Sequence, residues 1–205
     1  MKQTPMGEYD RHITLLTKER GKITAFARGA RRPGSRLAAA TNPFSFGTFK
    51  LYAGRDSYTV SEAEISNYFP ELMSDFGGAY YGMYFCELAD YYTRENNDEV
   101  DMLKLIYQSL RALTSQAFSH KLVRSIFELK AIMINGEFPG VLQEVGLQES
   151  TVYTVDYIMR TPVEKLYSFT VSEEVLHELR IFNRKLCAKT LDRNFKSLEI
   201  LENLE

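Results

Sequence analysis

The chain has 205 residues and a formal net charge of −2, with 25 Lys and Arg residues against 27 Asp and Glu residues. This length suits one or two domains that each bury a core of their own. The charge is divided unevenly, because residues 1–60 hold 11 basic and 4 acidic residues, whereas residues 61–205 hold 14 basic and 23 acidic residues. The asymmetry predicts a basic part that faces a polyanion and an acidic part with a different role.

The composition also excludes several classes of protein. No segment approaches the length and hydrophobicity of a membrane span, and the start of the chain lacks the apolar core of a secretion signal. Cys86 and Cys187 lie far apart with no histidine at ligand spacing, so neither a disulfide framework nor a zinc site is predicted. Both cysteines are expected to be buried apolar residues. We expect a soluble, cytoplasmic protein without a metal or other cofactor.

The first third of the chain has the pattern of short strands. Residues 6–10 are polar and typical of a turn, and apolar and polar residues then alternate with the period of a half-buried strand. Gly21 suits a tight hairpin turn, and residues 35–41 predict a single helical turn. The predicted strands cover residues 12–17, 22–28, 44–53 and 57–63. Because no helical period interrupts them, they predict a small antiparallel barrel or sandwich.

Residues 21–36 carry the strongest functional signal. They are rich in glycine and basic residues and contain no acidic residue. A period of two places Ile23, Ala25 and Ala27 on the packed face of a strand and the basic and aromatic side chains on the opposite face. Further arginines follow on a turn that a Pro-Gly pair ends. The predicted nucleic-acid-binding residues are Lys22, Phe26, Arg28, Arg31, Arg32 and Arg36.

Basic groups beside an aromatic ring form a stacking platform with phosphate contacts, as in sequence-tolerant single-strand binding. Two alternatives to nucleic-acid binding stay open. In the first, the charges are solvated groups that protect a sheet edge from aggregation. In the second, the basic face belongs to a protein-interaction scaffold and binds an acidic protein partner. The lack of acids and the interleaved Phe26 favour nucleic acid. Affinity that ignores base sequence and falls steeply with salt distinguishes a DNA binder from a scaffold.

After residue 67 the hydrophobic period changes to that of helices. The third predicted helix is apolar around most of its surface, which predicts the central helix of a bundle. Ser172 and the acidic pair after it suit the N-terminus of the last predicted helix. A short helix is also expected to begin at Pro162. The predicted helices cover residues 77–94, 99–115, 119–135 and 172–191. The second part of the chain is therefore predicted to be an acidic all-α domain.

Few residues suggest chemistry. Glu8, Asp10 and His12 alternate along an extended segment and are a candidate metal or acid/base cluster, as in a metal-dependent nuclease. No further ligand motif completes such a site, so surface or turn-fixing roles are favoured. His120 and His177 are isolated on helices and are expected to be satisfied or exposed. The sequence lacks a Walker loop, a dinucleotide motif and a nucleophile elbow, so no enzyme is predicted.

The first predicted helix is rich in tyrosine. Four of its residues share helical spacing and are expected to pack in the core, with tyrosine hydroxyls that reach the surface. They are Tyr80, Tyr84, Leu88 and Tyr91. The functional alternative is a groove for a partner peptide. The candidate contacts for an acidic peptide, on the third predicted helix, are Lys121 and Arg124.

Several short motifs occur in a specific order along the chain. The N-terminal motifs are MGEYDR at 6–11, LLTKERGKI at 15–23, ARGARR at 27–32, SRL at 35–37 and PF at 43–44. The later motifs are FELK at 127–130, GEFP at 136–139 and RNFKSLE at 193–199. Together they span nearly the whole chain and resemble the RecO family of bacterial DNA repair proteins.

This resemblance implies an α+β fold, with an oligonucleotide/oligosaccharide-binding (OB) barrel over residues 1–70 and an α-helical domain over residues 71–205. It implies a non-enzymatic recombination mediator of the RecF pathway that binds single- and double-stranded DNA and anneals complementary strands. With RecR, such a protein helps RecA load onto DNA covered by single-strand-binding protein (SSB). Its helical domain would engage the acidic C-terminal tail of SSB, and the protein would associate with the nucleoid.

Two departures from the family pattern matter. Many relatives carry two cysteine pairs that bind zinc just after the segment that matches residues 136–139, whereas residues 141–151 contain no cysteine, so no zinc is predicted. Relatives also have an apolar strand before the piece that matches residues 2–10. We therefore expect the barrel to lack much of its first strand and to leave one sheet edge unpaired.

Overall fold

The computed structural model describes residues 1–55, 57–140 and 146–204. The strands are Lys2–Met6 (β1), Asp10–Thr17 (β2), Gly21–Ala27 (β3), Phe46–Ala53 (β4) and Tyr58–Asn67 (β5), and the short helix Leu37–Ala40 (α1) lies between β3 and β4. The helices that follow are Pro70–Ser74 (α2), Phe76–Tyr92 (α3), Val100–Leu113 (α4), His120–Ile134 (α5), Glu149–Arg160 (α6), Glu173–Thr190 (α7) and Lys196–Leu204 (α8), with a short 3-10 helix at Val163–Lys165. The molecule is an α+β protein with the sheet first, as predicted. None of the helices described is both long and apolar enough for a membrane span.

The five strands form one open sheet in the order β1-β2-β3-β5-β4. Within the described residues, β1 and β4 are the edges and do not pair with each other. The β1–β2, β2–β3 and β4–β5 pairs are antiparallel, but β3 and β5 are parallel. The prediction of an antiparallel arrangement is wrong for this one pair. Its cause is the connection through α1 and β4, which returns the chain beside β3 in the same direction.

Strand β1 was not predicted from the sequence. Residues 2–6 are polar and include Pro5, so they lack the alternation that marks a half-buried strand. Backbone pairing with residues 10–14 of β2 forms the strand nevertheless. Pro5 is tolerated because β1 is an edge. The last residues of β2 extend past this pairing and, together with β1, form one open edge of the sheet.

The main hydrophobic core surrounds α5, which is the central helix as predicted. Its residues Ile126, Phe127 and Leu129 are completely buried. Phe44 from the loop before β4 enters this core beside α3, where Gly82 leaves room for it, because a Cβ at Gly82 would lie 2.9 Å from the Phe44 ring. Leu16 and Phe46 of the sheet pack against this main core. Among the described residues, the sheet also has a small second cluster of its own. That second cluster contains Ile13, Ala25, Ala27, Ala30 and Val60.

The four long predicted helices are confirmed with ends that shift by one or two residues. Their caps explain this accuracy, since the Ser119 and Ser172 side chains accept hydrogen bonds from the backbone N–H groups of Leu122 and Val175. The short helices at residues 37–40 and 163–165 also form where the sequence predicts helical turns. The helices α2, α6 and α8 were missed.

Helix α6 shows why local pattern was insufficient there. Its sequence is rich in threonine, valine and tyrosine, which favour strands. Lys130 of α5 is buried, and its ammonium donates to the carbonyls of Ile158, Met159 and Thr161 at distances of 2.8–3.0 Å. These carbonyls at the end of α6 have no partner within the helix, so a long-range cation caps them. Burial lowers the pKa of Lys130.

The turn between β2 and β3 docks on the connection between α3 and α4. Backbone hydrogen bonds join Lys22 N to Arg94 O at 3.0 Å and Asn96 N to Arg20 O at 2.9 Å. Gly21 has a φ of +63°, and a Cβ on it would lie 2.4 Å from the Arg94 carbonyl oxygen. Glycine is therefore required at position 21 both by the backbone conformation and by the close approach of the helical part.

We predict that Gly21→Ala lowers the free energy of unfolding by more than about 2 kcal/mol, because a left-handed φ alone costs about 1–2 kcal/mol for a non-glycine residue and the carbonyl contact adds to it. Gly136→Ala is the matched control, since Gly136 has a φ of +73° but open space around it. Urea unfolding curves of both variants measure the difference. Equal losses would show that the docked turn contributes no constraint beyond its φ angle.

Candidate nucleic-acid interface

The strand face predicted to meet nucleic acid has the expected alternation. Ile23, Ala25 and Ala27 of β3 are buried, Phe26 is half-buried, and Arg28 just after the strand is exposed. The prediction of a half-buried strand with one polar and aromatic face is confirmed. This regular pleat lifts the ring of Phe26 out of the sheet on the side opposite the small alanine core.

Neighbouring strands add aromatic rings to Phe26. His12 of β2 is the register partner of Phe26, and the two ring centroids lie 5.2 Å apart. On the other side Phe26 pairs with Thr59 of β5, and Thr59 pairs with Tyr52 of β4, whose side chain is 67% exposed. These register positions place His12, Phe26 and Tyr52 in one row across the sheet, which we call the aromatic row. Such a row offers flat faces on which bases stack.

Sequence reasoning missed two members of this row. His12 was considered only as part of an acidic cluster, and Tyr52 was assigned to a strand without a role. His12 lies on β2, which pairs directly with β3, whereas Tyr52 lies on β4, which reaches β3 only through β5. The pairing register that unites them has no signature in any single strand.

The loop after β3 is held by its backbone against the turn between β1 and β2. The Gly29 N–H donates to Asp10 Oδ1 at 2.7 Å, and the Arg31 N–H donates to Tyr9 O at 2.8 Å. The Arg31 guanidinium donates to Gly7 O at 3.1 Å, and the Arg32 guanidinium lies 5.2 Å from the centre of the Tyr9 ring. Both arginines are exposed. The loop thus presents two cations on a fixed backbone.

No carboxylate among residues 1–55, 57–140 and 146–204 forms an ion pair with the arginines of this loop. The four exposed arginines are Arg28, Arg31, Arg32 and Arg36. Arg31 and Arg32 keep donors available, because each guanidinium has five and uses few of them here. A polyanion would therefore meet cations that need no internal ion pair to be broken.

Lys22 differs from the other predicted binding residues. Its ammonium forms an ion pair with Asp90 of α3 at 3.1 Å and donates to the Asp90 carbonyl at 2.6 Å. Lys22 is therefore engaged within the protein, and its role in DNA binding stays a prediction. The reason is the docking of the β2–β3 turn, which brings the start of β3 against the end of α3. Lys22 joins sheet to helices, and a role in DNA binding would need this pair to open.

The candidate acid/base cluster has a structural explanation. Asp10 accepts the Gly29 N–H, which is the favoured turn-fixing role, and His12 packs on Phe26. Glu8 is exposed. In the described ranges, no group of three or more His, Cys, Asp or Glu side chains is arranged to hold a metal ion. Part of the cysteine-free segment on which the zinc prediction depends, residues 141–145, lies outside the described residues.

The candidate peptide contact Arg124 is already engaged within the protein. Its Nε atom lies 2.8 Å from Glu128 Oε1, its guanidinium lies 5.6 Å from the centre of the Tyr84 ring, and Glu202 of α8 is 3.8 Å away. The Arg124 side chain is only 14% exposed. Lys121 is half-exposed and makes no ion pair with any described residue. The two candidate contacts are therefore unequal.

Glu128 is the centre of this buried polar cluster. Tyr84 donates its hydroxyl to Glu128 Oε1 at 2.9 Å, and Asn183 Nδ2 lies 3.4 Å from Glu128 Oε2. Burial, reinforced by the nearby Glu128 charge, raises the pKa of Tyr84 well above its ordinary value. The expectation that the Tyr84 hydroxyl reaches the surface is wrong, because it points inward to an acid. Tyr91 does reach an exposed partner, Asp192, at 2.8 Å.

The remaining sequence candidates have ordinary structural roles. Tyr84 and Leu88 are completely buried, so the core interpretation of the tyrosine-rich helix is confirmed for them. His120 Nε2 lies 3.2 Å from the Leu113 carbonyl and 3.5 Å from Asp75, and His177 is exposed. Burial raises the pKa of the Cys86 and Cys187 thiols.

Comparisons with known proteins decide the family. The family model "Recombination protein O N terminal" matches residues 1–69, and the model "Recombination protein O C terminal" matches residues 73–141. Together the two models match more than half of the chain. The chain belongs to the RecO family. The N-terminal match contains the aromatic row in full. It also contains the whole loop after β3 that carries Arg28, Arg31, Arg32 and Arg36, which we call the arginine loop.

Full-length relatives carry the same name. The DNA repair protein RecO of Acetivibrio thermocellus is 26% identical over an alignment 237 positions long, which covers 100% of this chain and 94% of that protein. The DNA repair protein RecO of Clostridium perfringens strain 13 is 28% identical over 225 residues, which cover 95% of this chain and 92% of that protein. The RecO of Alkaliphilus metalliredigens is 26% identical, with 97% of this chain covered.

We predict that Arg124→Ala lowers the free energy of unfolding by about 3 kcal/mol or more, because it leaves the buried Glu128 carboxylate without its cation. Lys121→Ala is the matched control and should change stability by less than about 0.5 kcal/mol. Chemical denaturation followed by circular dichroism measures both. A fully stable Arg124→Ala protein would show that this arginine has no structural role and is free for a partner.

Proposed function

We propose that this RecO-family protein is a non-enzymatic DNA-binding mediator of recombinational DNA repair. It captures single- and double-stranded DNA, holds complementary strands close enough to anneal, and assists the loading of RecA onto SSB-covered DNA together with RecR. The observation that carries the proposal is the aromatic row beside an exposed arginine loop, whose arginines form no ion pair with any described carboxylate. The family membership and the names of the relatives support the DNA repair role.

The sheet supports an OB-type binding mode. An OB fold is a five-stranded, partly open Greek-key barrel that binds oligonucleotides on the face of its second and third strands and with the loops after its first and fourth strands. Here His12 and Phe26 lie on the second and third strands, and Tyr9 lies in the turn after the first strand. We propose that residues 1–70 act as this OB domain and that residues 71–205 act as the helical domain.

Binding would be electrostatic first and stacking second. Arg28, Arg31, Arg32 and Arg36 would neutralise phosphates and release counterions, a sequence-independent contribution that weakens with salt. The aromatic row would stack bases, which adds affinity for single strands because every base has a flat face. Neither contribution makes or breaks a covalent bond, so the protein needs neither a catalytic group nor a cofactor.

The helical domain would supply the protein contacts. We propose that the SSB tail docks near Lys121, whose charge is not consumed by a described carboxylate, and that Arg124 mainly shapes that surface from within its buried cluster. The site for RecR is not assigned to residues. Action at the nucleoid follows from DNA binding. The scaffold alternative, an acidic protein on the basic face, has no use for three stacked or exposed aromatic groups and is less favoured.

We predict that Arg31→Ala combined with Arg32→Ala weakens single-strand binding about tenfold at low salt, because two charge-assisted phosphate contacts are lost. The slope of log affinity against log salt should fall by about 1.4, since each phosphate contact on a single strand contributes about 0.7. Fluorescence anisotropy of a labelled oligonucleotide over a salt series measures both quantities.

The control for this pair is Arg111→Ala combined with Arg160→Ala, two exposed arginines of the helical part. It should leave affinity and slope within error of the wild type. Unchanged affinity in the folded Arg31 and Arg32 variant would remove the loop from the proposal. If the wild type binds an acidic polypeptide but no oligonucleotide, the scaffold function replaces DNA binding.

We predict that Phe26→Ala and Tyr52→Ala each reduce single-strand affinity by about 1–3 kcal/mol, the usual contribution of one stacked base, without a change in salt slope. Tyr153→Ala is the matched control, because Tyr153 on α6 is 68% exposed, about as much as Tyr52. The same anisotropy titrations apply. If these variants changed the salt slope, instead of lowering the affinity at a constant slope, base stacking by this row would be contradicted.

A further inference from the structure

A second basic surface lies in the part of the chain that is acidic as a whole. Residues 180–196 contain six basic residues and one acidic residue, Asp192, whereas the rest of residues 61–205 contains eight basic and 22 acidic residues. Five of the six basic side chains are exposed, on the last turns of α7 and in the connection to α8. Three of the five, Arg184, Arg193 and Lys196, carry the argument below, and we call these three the α7 stripe.

Helix stability does not explain the α7 stripe. A helix dipole favours cations only within the last turn of the helix, where Lys189 lies. Arg184 lies further upstream, and Arg193 lies beyond the end of α7. Lys196 is the first residue of α8, where the positive end of that helix dipole disfavours a cation. The dipoles therefore do not account for Arg184 and Arg193 and disfavour Lys196, and an external anion would supply a favourable partner for these charges.

The α7 stripe is separate from the arginine loop but lies close to the same junction. Asp192, between α7 and α8, accepts a hydrogen bond from the Tyr91 hydroxyl at 2.8 Å. The preceding residue, Asp90, pairs with Lys22 at the start of β3. From Lys22, six strand residues at about 3.3 Å each lead to Arg28, a separation of about 20 Å. One monomer thus presents two basic surfaces that are both connected to this contact.

We propose that the α7 stripe is a second phosphate-binding surface, which holds a second nucleic-acid strand while the arginine loop and aromatic row hold the first. This inference rests on the proposed function. It gives the two surfaces different characters, because no exposed aromatic residue lies among residues 180–196 and the α7 stripe would contact only the backbone. The first strand would be held through its bases and phosphates, and the second through its phosphates, which leaves its bases free to pair.

The test uses the full-length protein and two non-complementary oligothymidylates of ten nucleotides, one labelled with a donor dye and one with an acceptor dye. Wild type should bind two strands per monomer and give energy transfer between the dyes. Arg184→Gln with Arg193→Gln and Lys196→Gln should reduce the stoichiometry from two strands to one and abolish energy transfer. The salt slope for the second strand should fall by about 2, since three contacts of about 0.7 each are lost.

The matched control removes the same charge elsewhere on the helical part, through Arg111→Gln with Arg160→Gln and Lys165→Gln, and should keep both strands and the energy transfer. The variant of Arg31 and Arg32 should weaken the first strand and spare the second. If the α7 stripe variant behaves like the control, the inference fails while the proposed function stands. The inference also fails if the α7 stripe variant keeps both oligonucleotides and loses affinity only for polyglutamate, an acidic polypeptide without phosphates. If wild type binds no oligonucleotide at all, both fail together.

Discussion

The contact between the β2–β3 turn and the end of α3 fixes the sheet against the helices. Gly21 allows the backbones to approach, and Lys22 then reaches Asp90. Because β3 is a stiff extended segment, fixing its first residue also fixes where its last residue and the following arginine loop lie. The same stretch of α3 holds the connection between α7 and α8 through Tyr91. One junction therefore orients both basic surfaces of the molecule.

Basic residues in this protein differ in role because their surroundings differ. Lys130 is buried and caps the carbonyls of α6, and Arg124 balances the buried Glu128. If either side chain moved, it would leave a buried polar group without a partner, so both residues have structural roles. Arg31 and Arg32 are held by backbone contacts and by the Tyr9 ring, and neither forms an ion pair with a carboxylate of the described residues. Their charge remains available to a ligand.

The aromatic row and the arginine loop depend on each other through β2. Asp10 at the start of β2 holds the loop through Gly29, and His12 two residues later supports the ring of Phe26. A DNA strand that follows the loop would therefore pass onto the row without rearrangement of the protein. Such a prearranged site loses little conformational entropy on binding, which favours affinity that does not depend on base sequence.

Elements with local signals could be predicted from the sequence. The alternation in β3, the serine caps of α5 and α7, the apolar surface of α5 and the acid-free run at 21–36 each depend on neighbours within a few residues. Other features follow from contacts between distant parts of the chain. The polar residues 2–6 form β1, residues 149–160 form a helix capped by Lys130, and Lys22 and Arg124 form ion pairs. Strand pairing also brings His12 and Tyr52 into one row with Phe26. These outcomes depend on strand register and on packing between residues far apart in the chain, and local periodicity carries no record of either.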